Sequence, residues 1–133
     1  MRELALFAGA GGGILGTHLL GWRPVAAVEI EAYRREILLR RQRDGLLPLF
    51  PVWDDAQAFD GKLLRGHVDV VTAGFPCQPF SLAGKRLAAD DPRNGWPATI
   101  RIIREVGPHY ALLENVPGLL AHPYFGTVLG DLA

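Results

Sequence analysis

Apolar, strand-like runs alternate with helix-like stretches along the whole chain, and that alternation leaves few folds open to it. Residues 3–7 form a short apolar run that ends in glycines. Residues 12–21 follow with Ile14, Leu15, Leu19 and Leu20 at helical spacing. Residues 24–29 are apolar and end in an acid, and 31–43 reads as a helix with Tyr33, Ile37, Leu38 and Leu39 facing inward. Residues 49–52 suit a short strand, and 68–73 (Val-Asp-Val-Val-Thr-Ala) is the strongest strand pattern in the chain. Glycine and proline crowd the early part of 74–95, which predicts a long loop. A helix over 97–106 with Pro97 near its first turn, a buried strand at 110–113 and the start of a helix at 125–133 complete the series. Strands separated by helices predict a doubly wound, mostly parallel α/β sheet. Ligands of such sheets bind at the carboxyl ends of the strands, and the unusual residues of this chain sit at those ends.

The first of them is a strand running into Phe7-Ala8-Gly9-Ala10-Gly11-Gly12-Gly13 and then a helix. Residues 9–16 hold five glycines, more than a tight strand–helix turn needs. Glycine lets a backbone approach a ligand, and a helix start offers free N–H groups, so a nucleotide-type cofactor site competes with a plain turn. A dinucleotide fingerprint would need glycine where Ile14 stands. No Gly-Lys-Ser/Thr follows, so a phosphate loop is also excluded. A nucleoside cofactor without phosphates fits better. Glu29, about 20 residues on, can accept hydrogen bonds from both hydroxyls of a ribose; the alternative is an acid favoured by the dipole of the helix that follows.

Two further motifs end strands. Gly74-Phe75-Pro76-Cys77-Gln78-Pro79-Phe80-Ser81 presents the single cysteine between prolines at the ligand edge. A lone cysteine is commonly buried and inert, but this position suits a nucleophile whose pKa is lowered from about 8.5. Leu112-Leu113-Glu114-Asn115-Val116-Pro117 brings an acid to the same edge. Partial burial would raise the Glu114 pKa and equip it to donate a proton; a surface loop acid is the alternative.

Composition limits the rest. The 133 residues fit one domain, read as a single unit over 1–133. No apolar run approaches the roughly 20 residues of a membrane span, and no secretory signal opens the chain, which predicts a cytoplasmic protein. One cysteine permits no internal disulfide, and the 4 histidines have no metal-ligand spacing, so no metal is expected. The net charge of +0 means that either no nucleic acid is bound or the basic surface lies elsewhere. Arg34, Arg35, Arg40, Arg41 and Arg43 read as a solvated helix face.

Taken together, these residues resemble the DNA cytosine-C5 methyltransferase family over the whole chain. Phe7-Ala8-Gly9-Ala10-Gly11-Gly12 resembles its cofactor motif, Glu29 its ribose acid, the Pro76-Cys77 segment its nucleophile motif and Glu114-Asn115-Val116 its catalytic glutamate motif. The resemblance implies a Rossmann-like fold of the S-adenosylmethionine-dependent methyltransferase type and S-adenosylmethionine as cofactor. It implies that Ile30 packs on the adenine, that Asp55 (or Asp54) contacts its amino group, and that Pro76 borders the cofactor. It implies Cys77 and Glu114 as catalytic residues, with Phe75, Gln78, Ser81, Arg86 and Asn115 facing substrate. Ser81, Lys85, Arg86 and Arg93 belong to a loop expected to close over DNA. Asp91-Pro92-Arg93-Asn94-Gly95-Trp96 resembles the segment before the fourth helix, without the leucine the family has near Trp96. The implied partner is double-stranded DNA with a flipped cytosine.

The family also has an arginine motif, a target-recognition region, further strands and a C-terminal segment that completes the cofactor pocket, none of which can fit in the residues after Val116. The expected unit is therefore an incomplete fold, inactive or weak alone, complemented by a chain carrying the recognition region, and its strand at 110–113, without its next neighbour, is expected to become an exposed apolar edge. A non-catalytic remnant acting as a cofactor-binding or interaction module is the competing reading. The residues leave open whether the role is restriction-modification, phage protection or regulation. A nicotinamide-dependent dehydrogenase fails on the broken glycine fingerprint.

Overall fold

A computed structural model of the chain describes residues 1–76 and 94–133. Five strands, β1 (Arg2–Leu6), β2 (Arg23–Val28), β3 (Val52–Trp53), β4 (Val70–Gly74) and β5 (Tyr110–Glu114), form one sheet in the order β3-β2-β1-β4-β5. Every pairing is parallel. The winding direction reverses between β1 and β4, which opens a crevice at their carboxyl ends. Pro24 pairs with Glu3 and Ala26 with Leu4, leaving Val25 as an extra residue. A bulge is where a strand tolerates a proline that cannot donate to the ladder.

The helices are α1 (Gly12–Leu19), α2 (Ala32–Arg43), α3 (Trp96–Val106) and α4 (Tyr124–Leu132). Period-two alternation in the strands divides the core between them. Leu4, Leu6, Ala26, Val28, Val71 and Ala73 bury against Ala98, Ile102 and Val106 of α3. On the opposite face, Ala5 and Ala27 pack with Ile14 of α1, Leu38 of α2, and Leu47 and Phe50. A third cluster of Phe75, Trp96, Ile100, Leu119 and Val128 joins α3 to α4. Gly107, left-handed at φ 62°, ends α3. The helices cover both faces of the parallel sheet, as the alternation of elements required.

Several expectations fail in detail. Tyr33 is 77% exposed and Leu39 is also exposed, so α2 sends only Leu38 fully into the core, with Ile37 half-buried. Leu19 and Leu20 are exposed too. The strand expected at 49–52 is confined to Val52–Trp53, because Phe50 turns inward as a core residue. The strand at 110–113 has the apolar run of a buried strand but is, as the missing neighbour predicted, an exposed edge, with Tyr110 64% and Leu112 55% exposed. Both share the α1 face with their partners Val70 and Thr72, and no described residue covers them there. Only Leu113, on the other face, packs on the core.

Polar ties complete the frame. The Asp69 carboxylate accepts from the Arg2 backbone N–H at 2.7 Å and from its guanidinium at 2.7 Å. These bonds hold the Asp69 pKa at about 2, well below its ordinary 3.8. Glu3, buried in the middle of β1, accepts from the Thr72 hydroxyl at 2.7 Å and from the Thr17 hydroxyl. Between β3 and β4 the chain makes one 3₁₀ turn, Gly61–Leu64, and Arg101 of α3 donates to the carbonyls of Ala56, Gln57 and Phe59 just before it.

Candidate active site

The turn after β1 is built by backbone conformations that suit few residues. Phe7 is left-handed at φ 52°, the one non-glycine with positive φ among the described residues. Such a residue costs about 1–3 kcal/mol and persists where its surroundings hold it. Gly9 (φ 57°) and Gly11 (φ 84°) follow, and Gly11 is the N-cap of α1. The turn is tied on both sides. The Ala8 N–H donates to the Val28 carbonyl at 3.0 Å, and Arg41 of α2 donates to the Ala10 carbonyl.

Glu29 is the central polar group. It is only 3% exposed, and its carboxylate accepts from the Gly9 N–H at 2.7 Å and the Glu31 N–H at 2.9 Å. Each oxygen keeps a free lone pair, so the acid can still accept from a ligand. Arg35 donates to the Glu29 carbonyl at 2.9 Å, and an Arg34 nitrogen lies 3.9 Å from the carboxylate. Three of the five arginines read as a solvated face therefore buttress the site instead.

A cavity of about 550 Å³ opens beside this acid, within the range of small-molecule sites. Phe7, Glu29, Ile30, Asp55 and Pro76, all nominated from the sequence, line it. So do Val28, Glu31, Arg34, Ala56, Gln57, Gly74, Asn94 and Gly95, which had not been nominated as cofactor contacts. Ile30 is 66% exposed beside a buried carboxylate, a combination that suits a flat apolar ring. Asp55 accepts from the Gln57 N–H at 2.8 Å through one oxygen and has a second to offer. Ala8 lies in an adjoining cavity, and Gly9, Ala10, Gly11 and Gly12 form the turn behind the wall without lining it.

That adjoining cavity, about 310 Å³, shares Phe7 and Gly74 with the first and is reached by Glu114. Gly74 and Glu114 are paired at the end of the β4–β5 ladder. A Cβ on Gly74 would stand 3.2 Å from a Glu114 carboxylate oxygen, so glycine makes room for the acid. Glu114 is exposed. The partial burial expected of it is not supplied by the described residues, because it stands on the uncovered face of an edge strand.

Two residues expected at a substrate surface are otherwise engaged. Phe75 is buried, its ring 5.2 Å from that of Trp96. Asn115 spends its amide on the Phe75 carbonyl at 3.0 Å and the Val116 N–H at 2.8 Å. Cys77, Gln78, Ser81, Lys85, Arg86 and Arg93 lie outside the described residues. Asn94 and Gly95 were legible only as part of the segment before the fourth helix. Gly95 is needed for space: a Cβ there would meet Pro76 Cδ at 2.5 Å and Phe7 Cζ at 3.1 Å.

A second groove of about 630 Å³ runs between the 3₁₀ turn and helices α3 and α4. Arg65, Arg101 and Arg104 on its walls are already bonded to backbone carbonyls and acids, and no residue nominated from the sequence reaches it. Among the described residues no group of three or more His, Cys, Asp or Glu could hold a metal, and no helix is long and apolar enough to cross a membrane.

A parallel sheet that reverses at β1, a glycine turn and an acid at the end of β2 are the parts of a nucleoside-binding α/β fold. The model of the family described as C-5 cytosine-specific DNA methylase matches residues 1–131, and the chain belongs to that family. It is 39% identical over 118 residues to Type II methyltransferase M.NgoMIV of Neisseria gonorrhoeae, an alignment covering 89% of this chain and 36% of that protein. It is 42% identical over 119 residues to Type II methyltransferase M.PspPI of Psychrobacter sp. (strain TA137), covering 86% and 27%. A solved structure described as a DNA modification methyltransferase encoded within an E. coli prophage superposes with a TM-score of 0.78 at 27% identity, over 99% of this chain and 36% of that one. The chain thus spans about a third of the length of the relatives it matches. Family and fold together imply S-adenosylmethionine as the methyl donor.

Proposed function

We propose that this chain is the cofactor-binding and nucleophile-bearing part of an enzyme that methylates C5 of cytosine in DNA. One observation carries the reading. Phe7, Glu29, Ile30, Asp55 and Pro76 converge on a single cavity, and the Gly74–Glu114 pairing sets an acid beside the strand that leads to Cys77. The cavity suits an adenosine: Glu29 accepts from the ribose hydroxyls, Ile30 and Phe7 flank the base, and the free Asp55 oxygen accepts from its amino group. Ala8, Gly9, Ala10, Gly11 and Gly12 hold the turn, and Pro76 borders the methyl end. When bound, S-adenosylmethionine supplies an electrophilic methyl group.

Cytosine C5 is too electron-poor to take that methyl unaided. The Cys77 thiolate adds to C6, and Glu114 holds a proton at N3, which turns C5 into an enamine-like nucleophile. C5 would then be poised to take the methyl group that the cofactor, held by Glu29, Ile30 and Asp55, would supply. Loss of the C5 proton to a base then expels the Cys77 thiolate and restores the 5,6 double bond. The cytosine must leave the helix to reach this edge. Gln78, Ser81, Arg86 and the neighbouring Lys85 and Arg93 are assigned to DNA. No metal is required.

We assign the chain little or no methylation activity alone, because it covers about a third of its relatives' length and Glu114 stands exposed. The bare Tyr110 and Leu112 face suits a further polypeptide, in the same chain or a second one, that also brings the recognition region. Methyl transfer from labelled S-adenosylmethionine to DNA, with and without that polypeptide, tests this. Transfer is expected only in the completed protein and is abolished by Cys77→Ser. Sequence-specific C5 methylation by the isolated chain would overturn the assignment. Cofactor binding without turnover in the completed protein would favour the non-catalytic module.

A further inference from the structure

We infer that Asn115 is a positioning residue that fixes the peptide entering the nucleophile against the strand carrying the acid. The inference rests on the roles proposed above for Cys77 and Glu114. Backbone pairing between β4 and β5 ends at Gly74 and Glu114. One step further, the Asn115 side-chain N–H donates to the Phe75 carbonyl at 3.0 Å, extending the ladder after the main chain has stopped. The other end of the same amide accepts from the Val116 N–H at 2.8 Å, which fixes its orientation. A pinned amide of this kind holds its donor at one point in space.

The geometry explains why a side chain is needed here. Residue 76 is proline and has no N–H with which to continue the ladder, so main-chain pairing stops here and the tie across the two strands is a side chain's. Phe75 is anchored through its ring by Trp96, and Pro76 is packed so closely on Gly95 that no Cβ fits. Those two contacts come from the α3 side. Asn115 supplies the tie from β5, and it does so one residue after Glu114 and two residues before Cys77. Both ends of its amide are engaged within the protein, which fixes the side chain whatever its remaining N–H and lone pair meet.

The test uses the completed protein and the variants Asn115→Ala and Asn115→Asp. Single-turnover adduct formation on DNA containing 5-fluorocytosine should fall about tenfold or more in both, as a misplaced reacting group requires, with cofactor affinity within about twofold of wild type. Asn115→Asp keeps the acceptor for Val116 but regains a donor only when its carboxyl is protonated. Its rate relative to Asn115→Ala should therefore climb as the pH falls from about 6 toward about 4, into the ordinary aspartate range of about 3.9, a trend with no counterpart in a merely structural role. Wild-type rates in Asn115→Ala, or a pH-independent ratio between the variants, would overturn the inference. If the wild-type protein forms no adduct, the proposed function fails instead, and hydrogen exchange decides the positioning. Asn115→Ala should then speed exchange over residues 74–76 and 114–117 while β1 is unchanged, and equal rates would refute it.

Discussion

Replacing Gly95 by alanine places a methyl carbon where the structure has no room. The new Cβ would lie 2.5 Å from Pro76 Cδ, 3.1 Å from Phe7 Cζ and 3.2 Å from Pro76 N. Carbon atoms in contact sit about 3.5–4.0 Å apart, so Pro76 or the start of α3 must move by about 1 Å. Neither yields as a flexible side chain would, because the first contact is a ring atom and the third is backbone. Overpacking of this kind costs about 1–3 kcal/mol. With 133 residues and an unfolding entropy of about 2.1 cal/mol/K per residue, the total is about 280 cal/mol/K, so Tm should fall by about 4–11 °C. Pro76 also lines the cavity, so adenosylhomocysteine should bind about tenfold more weakly, the loss of about 1.4 kcal/mol. Gly126→Ala is the control: nothing lies within 4 Å of its Cβ in helix α4, and the better helix former should raise Tm by about 2–4 °C. Calorimetric melting and titration read both variants. A Gly95→Ala protein that melts within about 1 °C of wild type and binds ligand equally well would refute the argument for a closed contact at Pro76.

Other perturbations follow from single groups. Glu29→Ala removes the acceptor for Gly9 and Glu31 and the proposed acceptor for the ribose. At about 1.5–3 kcal/mol per hydrogen bond to a charged group, adenosylhomocysteine affinity should fall about 100-fold, and titration within about threefold of wild type would remove Glu29 from the site. Asp69 titrates at about 2 when folded, below its ordinary 3.8. Its tie to Arg2 is therefore fully present above pH 3.8 and is lost as the pH falls through about 2. The Tm difference between wild type and Asp69→Asn should be constant near neutrality and shrink between those values; a constant difference down to about pH 2 would contradict it.

The strands were legible because each alternates or runs apolar over the length a parallel strand needs, and the glycines and acids punctuate their carboxyl ends. Ile30, Asp55 and Pro76 reached one cavity because the sheet order brings the ends of β2, β3 and β4 together. Side-chain ties were not legible. Arg41 and Arg35 have the same composition as a solvated basic face, and only the fold shows that they grip carbonyls at Ala10 and Glu29. Glu3 stands in an apolar run with nothing in the sequence to pair it, yet two threonine hydroxyls brought close by folding satisfy it in the interior. The run at Tyr110–Glu114 has the continuous apolar character of a strand buried on both faces, and its exposure was foreseen only from the strands the family adds beyond it, not from the run itself. For Asn115 the motif gives a residue type, and only the fold shows that its amide meets the Phe75 carbonyl.

The most direct test of the proposed chemistry is to map a covalent bond. The completed protein, incubated with S-adenosylmethionine and a duplex containing 5-fluorocytosine, should yield one DNA-linked peptide. Mass spectrometry should place the link on the sulfur of residue 77, and Cys77→Ser should give none. Linkage at any other residue, or a Cys77→Ser protein that still traps DNA, would contradict the account.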